Sequence, residues 1–229
     1  MPPRSTRDRP AKAPLSLGSV VDAGLRVLRA EGLEAVTMRR VASELDTGPA
    51  SLYVYVANRQ DLLDQMFDAV VGEVALDVRP DRDRWRVQLE RLLTAFRDAM
   101  DRHPGIARVP LANVPTGPNA TRAVDHVLGL LRAGGVDDRS AAWFVDVVFL
   151  YVNAASFETS IYGAEREDEA ALHEGLQRTF AALDPAAFPN IAALLPALTS
   201  GSDDERFAFG LRLMINGLLD TRPPDAVET

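Results

Sequence analysis

A chain of 229 residues, 47% hydrophobic and 25% charged, is long enough to bury a sizeable core, as one domain or as a small domain joined to a larger one. It contains no cysteine, which excludes disulfides and thiolate metal ligands and agrees with a reducing compartment. The formal net charge of -8 speaks against a nucleic-acid partner over the whole surface, but residues 1–60 carry nine Lys and Arg against six Asp and Glu, while the rest carry sixteen against twenty-seven.

Positive potential is therefore concentrated at the N-terminal end, where it favours DNA, and the remainder is acidic. The segment PPRSTRDRPAKAPLS lacks the apolar stretch of a secretory signal, and no run of eighteen or more apolar residues is present. A cytoplasmic protein with no membrane partner is expected. Residues 1–14, rich in Pro and Arg, read as a flexible arm.

From Leu15 to Ala30 the positions Leu17, Val20, Val21, Gly24, Leu25 and Leu28 predict one amphipathic helix. Thr37 is placed to cap a short second helix carrying Val41, Ala42 and Leu45 on one face. Asp46, Thr47, Gly48 and Pro49 break it, with Gly48 expected to take the backbone angles of a tight turn and Pro49 to open the next helical turn. A third short helix follows, in which Ala50, Leu52, Val54 and Val56 anchor one part of the surface and Ser51, Tyr53 and Tyr55 occupy the rest. This is a helix-turn-helix, and hydroxyls and aromatic edges beside Arg39, Arg40 and Arg59 suit phosphates and base edges.

Asn58 is positioned to cap a helix running to Val78, with Leu62, Leu63, Met66, Val70 and Val74 at helical spacing. Trp85, Leu89, Leu92, Leu93 and Phe96 predict another through Arg102. The Pro- and Gly-rich stretch from His103 to Pro118 interrupts helices and can line a cavity. Two helices then span about 119–133 and 138–160, and the run AAWFVDVVFLYVNAASF in the second predicts burial on several sides. A polar segment, TSIYGAEREDEAALHEG, and a Pro-broken region lead to a last helix from Asp203 to Asp220. Its stripe of Phe207, Leu211, Met214 and Leu218 and its neighbouring stripe of Gly210, Leu213 and Gly217 suggest two partners, the core and a second subunit.

No segment shows sustained period-two alternation, so the fold is read as all-α. His103, His126 and His173 form no metal-ligand spacing, and no phosphate loop or GxSxG elbow is present. Neither a metal, a cofactor nor an enzymatic activity is expected.

The motifs also carry a resemblance. Residues from about Leu15 to Val70 resemble the DNA-binding domain of the TetR family, on EGLEAVT at Glu31 to Thr37, RxVAxEL at Arg39 to Leu45, SLYxYVxNR at Ser51 to Arg59 and DLL at Asp61 to Leu63. FRDAMDRHPGIARVPL, the Val114-Pro115-Thr116 step and FAFGLRLMINGLL at Phe207 to Leu219 are similar to the body of the family's tetracycline repressors. The resemblance implies a three-helix helix-turn-helix head at 15–60 and a ligand-binding and dimerisation domain at 61–225. It implies a homodimer on a double-stranded palindromic operator, released by a small organic effector, with the helix from Asn58 as the lever between pocket and head. In the head, it assigns Ser51, Tyr53, Thr37 and Arg59 to phosphates, and Arg39, Arg40, Pro49, Ala50 and Tyr55 to base edges, with Thr47 at the turn.

Where tetracycline repressors hold a magnesium–drug chelate, the aligned positions here are Pro110, Val114 and Leu150, with Glu158 kept; one carboxylate does not make a magnesium site. An organic, largely apolar effector is expected instead. Its candidate contacts are Phe96, Trp143, Phe149 and Phe157, with His103, Asn113, His126, Asn153 and Glu158 setting orientation. Alternatives are a DNA-binding activator of the same fold without a physiological ligand, and a helical interaction protein.

Overall fold

The computed structural model describes residues 14–165, 169–221 and 224; the N-terminal arm read from the sequence lies outside them apart from its last residue. Among the described residues every regular element is helical, and the chain divides into two compact units, one up to Leu62 and one from Leu63 on.

The first unit begins with α1, Leu17–Glu31, held at its start by a capping box in which Ser16 accepts from the Ser19 amide and Ser19 closes back on Ser16. Val20, Val21, Leu25 and Leu28 are buried, whereas Leu17 is exposed. Gly32 ends the helix at φ 84°, a backbone region where a side chain would be strained. Thr37 accepts from the Arg40 amide at 3.1 Å and so caps α2, Met38–Glu44. The turn after α2 differs from expectation. Asp46 holds the left-handed conformation, φ 51°, and Gly48 sits in ordinary extended backbone at φ -82°. Aspartate tolerates that region because its short polar side chain can bond locally. The next element is a 3-10 helix, Pro49–Val54, rather than an α-helix.

α3, Arg59–Val71, opens with Asn58 accepting from the Asp61 amide at 3.0 Å, and the chain passes from the first unit to the second within it. It stops seven residues before Val78, short of the length read from the sequence.

The second unit contains α4 (Trp85–Asp101), α5 (Arg108–Ala112), α6 (Pro118–Ala133), α7 (Asp138–Glu165), α8 (Glu169–Ala181), α9 (Pro189–Leu198) and α10 (Asp203–Gly217). α7 packs against α4, α5, α6 and α10, and α10 also packs on α4. Two helical segments, α8 and α9, pack on each other where the sequence suggested only polar and Pro-broken chain. α7 is long and apolar enough to cross a membrane, yet Asn153 and Ser156 are buried in it and Ser156 donates to Asp101 of α4 at 2.5 Å. Nor is it buried all round: Ala141, Phe144, Val148 and Val152 face inward, while Trp143, Val147 and Leu150 are exposed. On α10, Phe207, Leu211 and Ile215 are buried and Leu213 is 59% exposed.

Candidate nucleic-acid interface and ligand cavities

In the first unit, Leu52 and Val56 of the short turn point into the core, which leaves Pro49, Ala50, Tyr53 and Val54 outside. Tyr53 is 55% and Val54 78% exposed. Val54 was expected to anchor the turn, and its exposure makes it a surface residue that sequence reasoning missed. In a 3-10 helix successive residues turn by about 120°, so Val54 leaves the face that Leu52 turns inward.

The other sequence-predicted residues take several roles. Thr47 donates to Ser51 at 3.2 Å, tying the turn to the segment after it. Tyr55 is half-buried and its hydroxyl donates to the Leu15 carbonyl at 2.6 Å, just ahead of α1. Arg59 donates from Nε to the Val36 carbonyl at 2.6 Å and from Nη2 to the Leu33 carbonyl at 2.9 Å, bracing the link between α1 and α2. Arg40 is held by Glu31 and Glu44, while Arg39 beside it is exposed. Thr37 is the cap of α2 and remains exposed. The outward set is thus Arg39, Thr37, Pro49, Ala50, Tyr53 and Val54; Tyr55, Arg40 and Arg59 are tied to their own unit.

The second unit has several concavities. One of about 250 Å³, largely apolar, lies among α3, α5, α6 and α7 and is lined by Phe67, Val71, Pro110, Leu111, Val114, Ala123, Phe149 and Leu150, with Asn153 and Asp146 as its polar side chains. Pro110, Val114 and Leu150, which the sequence aligned with metal-chelate ligands elsewhere, all line this one space. A larger cleft of about 560 Å³ runs beside α4 and is lined by Arg84, Arg91, Arg102, Glu73, Asp77, Asp98 and His126. A third, about 200 Å³, contains Glu158, Tyr151 and the buried Arg97. Arg97 pairs with Asp204 at 2.9 Å and lies over the Phe207 ring at 4.7 Å.

The predicted ligand residues are accordingly divided. Phe149 and Asn153 line the apolar cavity, and Phe96 meets Phe149 edge-on with ring centroids 5.8 Å apart. His126 lies in the arginine-lined cleft and Glu158 in the third concavity. Asn113 is exposed, Phe157 is half-buried and lines none of the three, and Trp143 is on the open face of α7 beside Leu213 and Met214. His103 is buried against Glu73, Nε2 to Oε1 2.8 Å. Burial opposes the charge on Glu73, but hydrogen bonds from Arg102 and His103 outweigh it and hold the carboxyl below its ordinary range. Burial pushes Asp101 and the Tyr151 hydroxyl up. Among the described residues no three His, Asp or Glu are grouped so as to hold a metal ion.

Residues 20–66 match the family of bacterial regulatory proteins called tetR, and residues 79–222 match the tetracyclin repressor-like C-terminal domain. The chain is 32% identical over 225 residues to the HTH-type transcriptional repressor DrrR1 of Streptomyces coeruleorubidus, covering 93% of this chain and 82% of that protein. It is 28% identical over 206 residues to the class G tetracycline repressor protein of Vibrio anguillarum, covering 89% and 93%. Its fold superposes on ActR from Streptomyces coelicolor, solved in complex with actinorhodin, with a TM-score of 0.83, 38% identity and coverage of 90% and 96%.

Proposed function

We propose that this chain, which belongs to the TetR family of bacterial regulatory proteins, acts as a homodimeric repressor that grips a palindromic operator and releases it when a small organic effector enters the second unit. Membership makes it a ligand-responsive DNA-binding regulator of transcription; the roles of individual residues are our assignment.

The observation that carries the reading is the short turn Pro49–Val54, which keeps Leu52 inside and leaves Tyr53 and Val54 exposed, as Arg39 of α2 also is. Tyr53 and Thr37 hydroxyls and Arg39 donate to phosphate oxygens, while Ala50 and Val54 meet base edges and thymine methyls. Arg40, Tyr55 and Arg59 keep this surface in shape. Two heads, one per protomer, would meet successive major grooves about 34–36 Å apart.

The effector on this reading is a largely apolar organic molecule oriented by Asn153, since twelve of the fourteen side chains lining the 250 Å³ cavity are Phe, Val, Pro, Leu or Ala and the metal-chelate positions are Pro110, Val114 and Leu150. ActR, solved with actinorhodin, supports an organic ligand of this kind. The protein binds its effector without turning it over. The exposed apolar side chains Trp143 and Val147 of α7 and Leu213 of α10 support a second copy as the dimer partner.

Selection of bound sequences from a random double-stranded DNA pool, with the mass in solution recorded alongside, tests the reading. A palindrome bound by a dimer is expected. Recovery of nothing above background, even at low salt where phosphate contacts are strongest, would sink it.

A further inference from the structure

A single carboxylate ties α3 to α6. Asp68 is 7% exposed, and its Oδ1 accepts from the backbone amides of Asn119 and Ala120, both at 2.9 Å. The Asn119 side-chain amide donates to Asp68 Oδ2 at 3.0 Å and to the Asp68 carbonyl at 2.9 Å. Arg122 in turn donates to Asn119 Oδ1, which fixes the orientation of that amide.

The first amides of a helix need acceptors, and ordinarily the residue at the cap supplies one. In α6 the cap is Gly117, which has no side chain, and the acceptor comes from a residue about fifty positions earlier. A Cβ at Gly117 would collide with the Asp68 carboxylate, and one at Gly72 would fall 2.7 Å from the Asn119 amide. Both glycines therefore leave room for this one contact. A negative charge at a helix N-terminus is favourable, and burial strengthens it.

The latch sits at the wall of the apolar cavity. Phe67 and Val71, on either side of Asp68 in α3, line that cavity, and so do Ala120 and Ala123 of α6. A molecule filling that space would touch both helices that the latch joins. α3 is also the helix within which the chain passes from the DNA-reading unit into the second unit. Resting on the regulator reading above, we propose that Asp68 is the positioning residue through which occupancy of the apolar cavity is coupled to operator affinity: intact, the latch holds α3 in its DNA-competent position, and its opening releases it.

The test uses full-length dimer and the palindrome recovered by selection, with no small molecule present. Asp68→Ala removes the acceptors, and Gly117→Ala displaces the carboxylate while keeping every hydrogen-bonding group. Ser156→Ala is the control, since it removes the hydrogen bond from α7 to Asp101 and leaves the latch intact. Each variant is titrated onto the operator at a temperature where its circular dichroism and mass match the wild type. Asp68→Ala and Gly117→Ala are expected to weaken operator binding by about tenfold, inside the roughly 5–150-fold range of allosteric coupling, and Ser156→Ala by less than about twofold. Should Asp68→Ala fail to fold, Asp68→Asn, which keeps an acceptor for the two backbone amides, is expected to give a smaller loss of the same sign. Unchanged or raised affinity in the latch variants, or an equal loss in Ser156→Ala, would overturn the proposal and leave the regulator reading standing. A wild-type protein that binds no DNA at all would remove that reading, and the latch with it.

Discussion

The Arg40 guanidinium grips Glu31 through both Nη2, at 2.7 Å, and Nε, at 2.9 Å, and hands Nη1 to Glu44 at 3.0 Å. Its hydrogen bond to Glu31, and then that to Glu44, stabilises its charge, while Arg40 and Arg26 lower the Glu44 carboxyl. An arginine engaged by two carboxylates on its own unit is not free to neutralise a phosphate. Arg39, one residue earlier, is exposed. Each phosphate neutralised contributes a slope of about -0.9 to log K against log[salt]. Arg39→Ala should therefore make the slope of operator binding shallower by about one per head, whereas Arg40→Ala should leave it unchanged. Titrations between about 50 and 200 mM salt decide the matter. A shallower slope in Arg40→Ala would mean that DNA opens the ion pairs.

Tyr53 and Tyr55 stand two residues apart and do different work. Tyr53 is 55% exposed and can be truncated without a cavity in the core. Tyr53→Ala should weaken operator binding by at least roughly tenfold, or 1.4 kcal/mol, with the dimer mass and melting temperature unchanged. Tyr53→Phe separates the hydroxyl's share from the ring's. Equal affinity in Tyr53→Ala and the wild type would take this turn out of the DNA interface.

Tyr55→Phe removes only the donor to the Leu15 carbonyl, leaving a half-buried acceptor to water. It should cost about 0.5–1.5 kcal/mol of stability, visible as a lower midpoint in denaturant. Its salt slope should match the wild type.

Those two tyrosines mark the limit of what was legible in the sequence. Composition and helical periodicity give the all-α class, the caps at Thr37 and Asn58 and the burial of Leu52, because each follows from local spacing. Two hydroxyl-bearing aromatics two residues apart read alike until the 3-10 turn leaves Tyr53 exposed and Tyr55, the residue after it, reaches back to the Leu15 carbonyl ahead of α1. The same holds for ligand residues. Phe149 and Asn153 share a cavity because they are one helical turn apart on α7, but His126, Glu158 and Trp143 fall on other surfaces of the unit, and nothing local to each sets which surface that is. The latch at Asp68 was equally hidden, since its partner lies beyond α4 and α5 in the chain.

The apolar face shared by α7 and α10 predicts the oligomeric state. Trp143 and Val147 are about half exposed, and Leu213 faces out between buried Leu211 and Ile215. Placing a charge there costs the isolated chain little, because Leu213 is already in water, but buries an unpaired carboxylate in a dimer. Leu213→Asp should sediment as a folded monomer with the wild-type helical signal. Operator affinity should fall roughly hundredfold, since one head reads only half a palindrome. A Leu213→Asp protein that stays dimeric would move the interface elsewhere.

Glu73 sets an acid limit on the second unit. Its carboxylate receives Arg102 Nη2 and His103 Nε2, each at 2.8 Å, and these bonds overcome burial to hold the carboxyl below the ordinary value of about 4.3. A carboxyl depressed in the folded state binds protons more readily when unfolded, so its contribution is fully present above the unfolded value and drains away as pH falls through the folded one. The melting temperature should therefore decline below about pH 4.5. Glu73→Gln should lower the melting temperature at neutral pH and flatten this acid limb, because the amide has no charge to lose. The effect is modest, since the Glu73 side chain is 35% exposed and water screens the pair. Thermal melts of both proteins across the acid range measure it, and an acid limb equally steep in Glu73→Gln would assign it to other carboxylates.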